Sequence, residues 1–266
     1  MDILSNTVGL EVEVTSGAED VASMLADEGD RYIGDHYLHT YHCDCDACLH
    51  DINRYNIVTG QNDCTVSGEF ITRPIVLGDE VSWRDMAHVG WVMRQARAEV
   101  LPLEDTGCHV HVGAHVLDDM PSRELFEEST GVGEAFEGDG REQLAQAFFY
   151  LQESFRPFAS GSESEVRGYN RTIGWGRHYR CRSDWLNLNR HRQTVEFRLW
   201  NGSMTPWRWR MYAGISAAMV TAVADGLNPY VACERANLPL ADALREWLDS
   251  ETLMLMGQQL MYRATL

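Results

Sequence analysis

Carboxylate and imidazole side chains recur at alternate positions of extended segments in this sequence. Glu11 and Glu13 lie two residues apart in the segment 8–14, and apolar residues occupy the positions around them. His109 and His111 have the same spacing in a second alternating segment. Because alternate side chains of a β-strand point to the same face, about 7 Å apart, each pair is presented together on one side of a sheet.

Two further segments carry acidic side chains in the same way. Glu69 lies in the segment 67–73, and Glu196 precedes Arg198 by two residues in the segment 194–199. If these strands share one antiparallel sheet, a single face collects at least four carboxylates, two imidazoles and a guanidinium. Divalent cations offset the repulsion among buried carboxylates most simply, and oxygen ligands favour Mg²⁺ or Mn²⁺ over zinc. The spacing therefore predicts a magnesium or manganese site on that face.

Periodicity predicts the elements that must position these side chains. Strands are predicted at 8–14, 67–73, 109–116, 185–189 and 194–199. Helices are predicted at 20–29, 82–100, 143–158 and 205–224, with two more within 227–266. The helix at 205–224 has the clearest start, because Thr205 suits an N-cap and Pro206 the first helical position.

The order of these elements predicts an α+β fold with an antiparallel sheet. The sheet carries the active site, and the helices pack on its other face. No internal repeat or linker divides the sequence, so we expect residues 1–266 to form one catalytic domain. Within it, the acidic stretch 117–140 is rich in glycine and serine and is a candidate lid.

Composition excludes several classes of function. The 266 residues are 44% hydrophobic, which suffices for a full core, and the formal charge of −18 argues against a nucleic-acid or membrane-surface binder. No stretch reaches the roughly 18 uncharged apolar residues of a membrane span, and the first residues do not resemble a secretion signal. We therefore expect a soluble cytoplasmic protein. Lysine is absent, which rules out a catalytic lysine.

The charge is unevenly distributed along the chain. The window 167–198 contains eight arginines and two acids, a net charge of +6, so the remainder carries −24. A basic island in an acidic chain is typical of a site for a compact polyanion such as a nucleoside triphosphate, because arginine offers paired donors to phosphate oxygens. A solvated arginine-rich face is the alternative interpretation.

A second candidate metal site lies in the Cys/His-rich loop 36–50. His42, Cys43, Cys45 and Cys48 are closely spaced, and thiolates with imidazoles suit tetrahedral zinc. A further ligand beside the three cysteines would come from Cys64 or a nearby histidine. The spacing is not that of a standard zinc knuckle, so a metal-free loop of reduced thiols remains the alternative.

Four motifs in order resemble those of the amidoligase family, which belongs with glutamine synthetase and the glutamate–cysteine ligases. They are Gly9-Leu10-Glu11-Val12-Glu13, Asp63 with Gly68-Glu69 ending at Pro74, Gly107-Cys108-His109-Val110-His111-Val112, and Leu186-Asn187-Leu188-Asn189 leading to Thr194-Val195-Glu196-Phe197-Arg198. The resemblance spans residues 8–220. It implies a glutamine-synthetase-like catalytic domain, but no specificity segment of glutamine synthetase or of glutathione biosynthesis is present.

The resemblance implies two Mg²⁺ sites. Glu11, His109 and Glu196 would surround the ion held by the nucleotide phosphates. Glu13 and Glu69 would bind the ion nearer the acceptor carboxylate.

The remaining roles also follow from the resemblance. Arg198 would stabilise the transferring phosphoryl group, and His111 would orient substrate. Arg180, Arg182 and Asn187 would contact phosphate or substrate. The implied activity is an ATP- and Mg²⁺-dependent carboxylate–amine ligase that forms an amide through an acyl phosphate, with ATP, a carboxylate and an amine, either small molecules or peptides, as partners.

Three other functions use some of the same residues. A phosphotransferase of the same architecture would transfer phosphate to an amine-type acceptor. A zinc hydrolase built on Glu69, His109 and His111 does not explain the Glu11/Glu13 pair or the arginine island. A non-catalytic protein would use the zinc loop for contacts.

Overall fold

The computed structural model describes residues 2–28, 58–61, 68–100, 106–127, 134–159, 185–189 and 192–265. The fold is α+β, as predicted, and a seven-stranded antiparallel sheet lies at its centre. The strands are β1 (Thr7–Val14), β2 (Val58–Gln61), β3 (Gly68–Thr72), β4 (Ile75–Val76), β5 (Gly107–Gly113), β6 (Arg123–Glu127), β7 (Glu134–Gly138), β8 (Leu186–Asn187) and β9 (Thr194–Asn201).

The sheet order is β2-β3-β1-β5-β9-β8, with β4 extending the β3 side of β1, while β6 and β7 form a separate hairpin. The helices are α1 (Ala18–Asp27), α2 (Glu80–Gln95), α3 (His115–Asp118), α4 (Gly140–Ala159), α5 (Pro206–Ala224), α6 (Pro229–Arg235), α7 (Leu240–Ala243) and α8 (Ser250–Ala264). None of the helices in these ranges combines the length and apolar character that a membrane span requires.

The apolar face of the sheet forms the core. Val8, Leu10, Val12 and Val14 of β1 are all buried, as their alternation predicted. Helix α5 packs against β1 and β5, and helix α4 packs against β9. Because α5 is buried on nearly its whole circumference, it forms the inner layer of the helical side. The opposite face of the sheet carries the charged residues.

Two predicted elements end earlier than the sequence suggested. The strand predicted at 109–116 ends at Gly113, because the chain turns into helix α3, whose first turn is closed by the Leu117 amide donating to the Ala114 carbonyl at 2.9 Å. The helix predicted to reach residue 100 ends at Gln95. Arg97 there has a φ of 56°, a left-handed conformation that cannot continue an α-helix.

Two other regions contain more regular structure than predicted. The stretch 117–140 includes the hairpin β6–β7, paired from Arg123 with Gly138 to Glu127 with Glu134. The C-terminal portion has three helices instead of two among the described residues. Pro229 and Pro239 start separate short helices, because proline fits a helix start but not its interior.

Two glycines give a matched test of helix packing. A Cβ at Gly214 in α5 would lie 2.0 Å from Thr252 Oγ1, whereas at Gly257 in α8 it would meet no atom of the described residues within 4 Å. We expect Gly257→Ala to raise the free energy of unfolding by about 0.5–1 kcal/mol. Gly214→Ala should lower it by about 1–3 kcal/mol through overpacking. Urea unfolding measures both, and wild-type stability of Gly214→Ala would contradict the packing of α5 on α8.

Candidate functional site

The sheet register places the predicted acidic residues beside one another. Glu11 of β1 lies opposite His109 of β5, and Glu13 lies opposite Glu69 of β3. Glu196 of β9 lies opposite His111 on the other side of β5. Four neighbouring strands, β3, β1, β5 and β9, therefore contribute to one cluster on the face away from the core.

His109 lies at the centre of this cluster and is only 3% exposed. Its Nδ1 is 3.1 Å from Glu11 Oε2 and 3.5 Å from Glu196 Oε1. Its Nε2 is 3.6 Å from Glu13 Oε1 and has no hydrogen-bond partner among the described residues. A buried imidazole nitrogen surrounded by carboxylates is suited to bind a metal ion, because ligating histidines are neutral and offer one nitrogen to the ion.

His111 pairs with Glu11 from the second side. Its Nε2 is 2.8 Å from Glu11 Oε1, and its Nδ1 is 3.4 Å from Thr194 Oγ1. Burial alone would raise the pKa of Glu11, but hydrogen bonds to His109 and His111 and the charges of both imidazoles hold this pKa well below its usual value. Burial alone would lower the pKa of His111, but the hydrogen bond and charge of Glu11 raise it. Glu11 is therefore ionised at neutral pH.

Glu13 and Glu69 form a cross-strand pair of carboxylates. Each residue is 6% exposed, so water screens their charges poorly. Like charges directly opposite one another in a sheet are destabilising. The backbone amide of Gly107 donates a hydrogen bond to Glu13 Oε2 and relieves part of this cost. A cation bound between the two strands would relieve more of it.

Glu196 is held by two donors on its own side of the sheet. Asn187 of β8 donates from Nδ2 to Glu196 Oε2 at 2.9 Å, and Arg198 forms an ion pair with Glu196 Oε1. Asn187 was predicted to contact phosphate or substrate, and the structure places it against a predicted metal ligand.

A β-bulge in β9 lies next to Arg198. Val110 pairs with Phe197 and Cys108 pairs with Trp200, so two residues of β9 oppose one residue of β5. Phe197 and Trp200, which are three residues apart, therefore both face the core. Glu196 and Arg198 share the opposite face by the ordinary alternation of a strand and form an ion pair there. The Arg198 amide donates to the Trp185 carbonyl at 2.8 Å, which fixes the bulge against the segment before β8.

The cluster fits divalent cations bound mainly by oxygen. Glu11, His111 and Glu196 offer one ligand atom each within 4.8 Å of one another, and so do Glu11, Glu69 and His109. The second group includes a residue from each of three adjacent strands. Carboxylate oxygens dominate both groups, which suits Mg²⁺ or Mn²⁺.

The grouping differs in one respect from what the resemblance implied. His111, predicted to orient substrate, lies in the group with Glu11 and Glu196, while His109 lies in the group with Glu69. His109 nevertheless contacts Glu196 as well. All five residues predicted to bind Mg²⁺ lie in this cluster, and the ion that each would bind stays a prediction.

A cleft of about 700 Å³ opens beside the cluster, with Glu11 and His111 in its lining. This volume falls in the range of small-molecule sites. Other residues that line the cleft are Thr7, Gly9, Gly113, His115, Asp118, Asp119, Arg192 and Thr194. Sequence reasoning missed most of them. The sequence could have indicated Thr7 and Gly9, because they share the face of β1 that carries Glu11. It could also have indicated Arg192, which belongs to the arginine island.

Several predicted site residues lie outside the described residues. They are Arg180 and Arg182 of the arginine island, and His42, Cys43, Cys45 and Cys48 of the candidate zinc loop. Cys64 lies outside them as well. Their roles stay predictions.

Fold and site together define an α+β protein whose antiparallel sheet carries a buried acidic candidate metal centre beside a cleft. No family model and no curated protein matches the chain. Among solved structures, it is similar to a chain in the complex between prokaryotic ubiquitin-like protein Pup and its ligase PafA. The identity is 10% and the TM-score 0.44, over 99% of this chain and 65% of that chain. A similarity of this strength does not establish a family.

Proposed function

We propose that this chain is an ATP- and Mg²⁺-dependent carboxylate–amine ligase. One observation carries the proposal: strands β1, β3 and β9 bring Glu11, Glu13, Glu69 and Glu196 to one face of the sheet, beside a cleft of about 700 Å³. So many carboxylates in a partly dry site are costly without cations, and phosphate chemistry is what such cations most often serve. The order of motifs that resembles the amidoligases supports the same activity.

The proposed metal ligands divide along the sheet. Glu11 and His111 line the cleft, and Glu11, Glu196 and an imidazole would hold the ion nearer the nucleotide. Glu13 and Glu69 would hold a second ion nearer the substrate carboxylate. When bound, such ions neutralise phosphate charge and orient the oxygens that exchange.

The reaction would proceed in two transfers. A substrate carboxylate oxygen attacks the γ-phosphorus of ATP, and the bond to the leaving ADP oxygen breaks. The nitrogen of the amine then attacks the carbonyl carbon of the acyl phosphate, loses a proton, and expels inorganic phosphate. Arg198, held next to Glu196, would stabilise charge on the transferring phosphoryl group, and Arg192 in the cleft lining would meet the other phosphates.

The intermediate requires protection from water, because acyl phosphates hydrolyse readily. Residues 117–140 are the proposed lid, and their described part contains the last two residues of helix α3 and the hairpin β6–β7. Asp118 and Asp119 at the start of this stretch, and His115 just before it, line the cleft, and this position supports the proposal. We also propose that the loop 36–50 binds a structural zinc ion.

The test of this proposal is release of ADP with Mg²⁺ across a panel of carboxylate and amine pairs. Products are then weighed by mass spectrometry for the loss of one water on joining. We expect ADP to appear only when a suitable carboxylate is present, and chelation of Mg²⁺ to stop it. Release of ADP that needs an amine but no carboxylate would replace the ligase by a phosphotransferase.

A further inference from the structure

Arg141, in the first turn of α4, is a buried charge at 5% exposure. Its guanidinium forms a two-pronged contact with Asp118 at the end of α3: Nε donates to Oδ1 at 2.6 Å, and one terminal nitrogen donates to Oδ2 at 2.9 Å. The hydrogen bond and charge of Arg141 lower the pKa of Asp118, so the pair is fully charged at neutral pH. Planar pairing of this kind is available to arginine but not to lysine.

The same guanidinium also donates hydrogen bonds to four backbone carbonyls, three in the connection between β8 and β9 and one on the first residue of β9. It donates to the carbonyls of Leu188 at 2.6 Å, Asn189 at 3.1 Å and Thr194 at 3.2 Å, and to that of Arg192 at 2.9 Å. The connection contains a left-handed residue, Asn189, with a φ of 49°. Such a conformation persists where surrounding contacts hold it, and the carbonyl bonds to Arg141 are such contacts.

These contacts join two segments that both line the cleft. One is 115–119, which supplies His115, Asp118 and Asp119, and the other is 192–194, which supplies Arg192 and Thr194. Arg141 donates hydrogen bonds to the Arg192 and Thr194 carbonyls of the second segment, so these bonds hold its backbone in place. Thr194 in turn contacts His111 of the acidic cluster. One guanidinium therefore sets the relative position of two parts of the cleft lining.

We propose that Arg141 is a positioning residue for the ligand that occupies this cleft. It holds 115–119 and 192–194 in the arrangement in which Arg192 and Thr194 meet an anionic ligand next to the metal cluster. The identification of that ligand as the phosphates of MgATP rests on the proposed function. Arg141 itself does not touch the ligand, so its loss acts on binding through the lining and much less on the chemical step.

The chain offers a matched control in Arg210. It is equally buried at 4% exposure, and it joins α5 to α8 through Thr252 at 3.1 Å and Asp249 at 3.2 Å; none of these three residues lines the cleft. Arg141→Lys and Arg210→Lys each keep a positive charge and lose the planar set of guanidinium N–H donors. Both should lower the melting temperature, but only Arg141→Lys should disturb the cleft.

Two readouts separate positioning from general stability. The first is the dissociation constant of MgATP, which we expect to rise about 10-fold in Arg141→Lys and to stay within about 2-fold in Arg210→Lys. The KM for ATP should rise correspondingly while kcat changes little. The second is hydrogen exchange without nucleotide, which should accelerate at 112–119 and 192–196 in Arg141→Lys alone. Asp118→Asn keeps the carbonyl contacts and should give a smaller change in both.

The results that would overturn the role of Arg141 differ from those that would overturn the proposed function. Equal MgATP affinity and equal exchange in Arg141→Lys and Arg210→Lys would overturn the role of Arg141. If wild-type protein does not bind MgATP, the proposed function fails, and the role of Arg141 is then tested by hydrogen exchange alone. Faster exchange in both segments of Arg141→Lys supports the positioning role, and unchanged exchange overturns it. If Arg141→Lys does not fold, Asp118→Asn is compared with Arg210→Lys by the same two readouts.

Discussion

Replacement of Glu196 by Gln is expected to abolish ADP formation and to leave the fold intact. The amide has the shape of the carboxylate and can still accept a hydrogen bond from Asn187. It lacks the charge that a metal ion requires, so the loss falls on catalysis. Repulsion among the remaining carboxylates decreases, and the melting temperature without metal should therefore hold or rise.

The measurement combines ADP release with melting curves in the presence and absence of Mg²⁺. Wild-type protein should gain stability with Mg²⁺, and Glu196→Gln should gain less, because a ligand that binds only the folded state stabilises it more when it binds more tightly. Glu11→Gln should behave in the same way. Glu246→Gln is the control, since this carboxylate is 66% exposed and pairs with Arg235 on the surface. Normal turnover in Glu196→Gln would contradict the metal assignment.

Replacement of Arg198 by Ala is expected to slow acyl-phosphate formation by about 10²–10³, the range for loss of one donor to a transition state. Arg198 lies on the same face as Glu196 and pairs with it, and in the proposed mechanism charge would develop there during phosphoryl transfer. Affinity for MgATP should change much less, because the contribution of Arg198 is made in the transition state. Single-turnover kinetics and nucleotide titration separate these two effects.

Arg245→Ala is the matched control for this prediction. Arg245 is 72% exposed and pairs with Asp242 on the surface. It should have wild-type turnover. A loss of nucleotide affinity in Arg198→Ala that equals its loss of turnover would assign Arg198 to ground-state binding instead.

Alternation in the sequence predicted which side chains share one face of a strand, but it did not predict which strands lie next to each other in the sheet. It placed Glu11 and Glu13 together, because a period of two is a local property of an extended chain. The pairing of Glu13 with Glu69 depends on the register between strands that are distant in sequence. Register is set by packing of the whole sheet, so the motif resemblance, not the periodicity, was needed to anticipate that these carboxylates meet.

Two features of the site had no sequence signal. The bulge in β9 lies at Arg198 and Leu199, where no glycine or proline marks an irregular strand. Arg141 follows a glycine at the start of a helix and resembles an ordinary exposed arginine. Its burial follows from contacts with backbone carbonyls, which any sequence provides, so only the folded structure identifies it.

The measurement that tests the ligase mechanism most directly follows ¹⁸O from the substrate carboxylate. An active carboxylate and amine pair is supplied with the carboxylate labelled, and the inorganic phosphate is analysed by mass spectrometry. The proposed mechanism predicts one labelled oxygen in the phosphate, because the bridging oxygen of the acyl phosphate leaves with phosphorus when the amine attacks carbon. If the label remains wholly in the organic product while ADP accumulates, the carboxylate is never phosphorylated and the proposed mechanism is wrong.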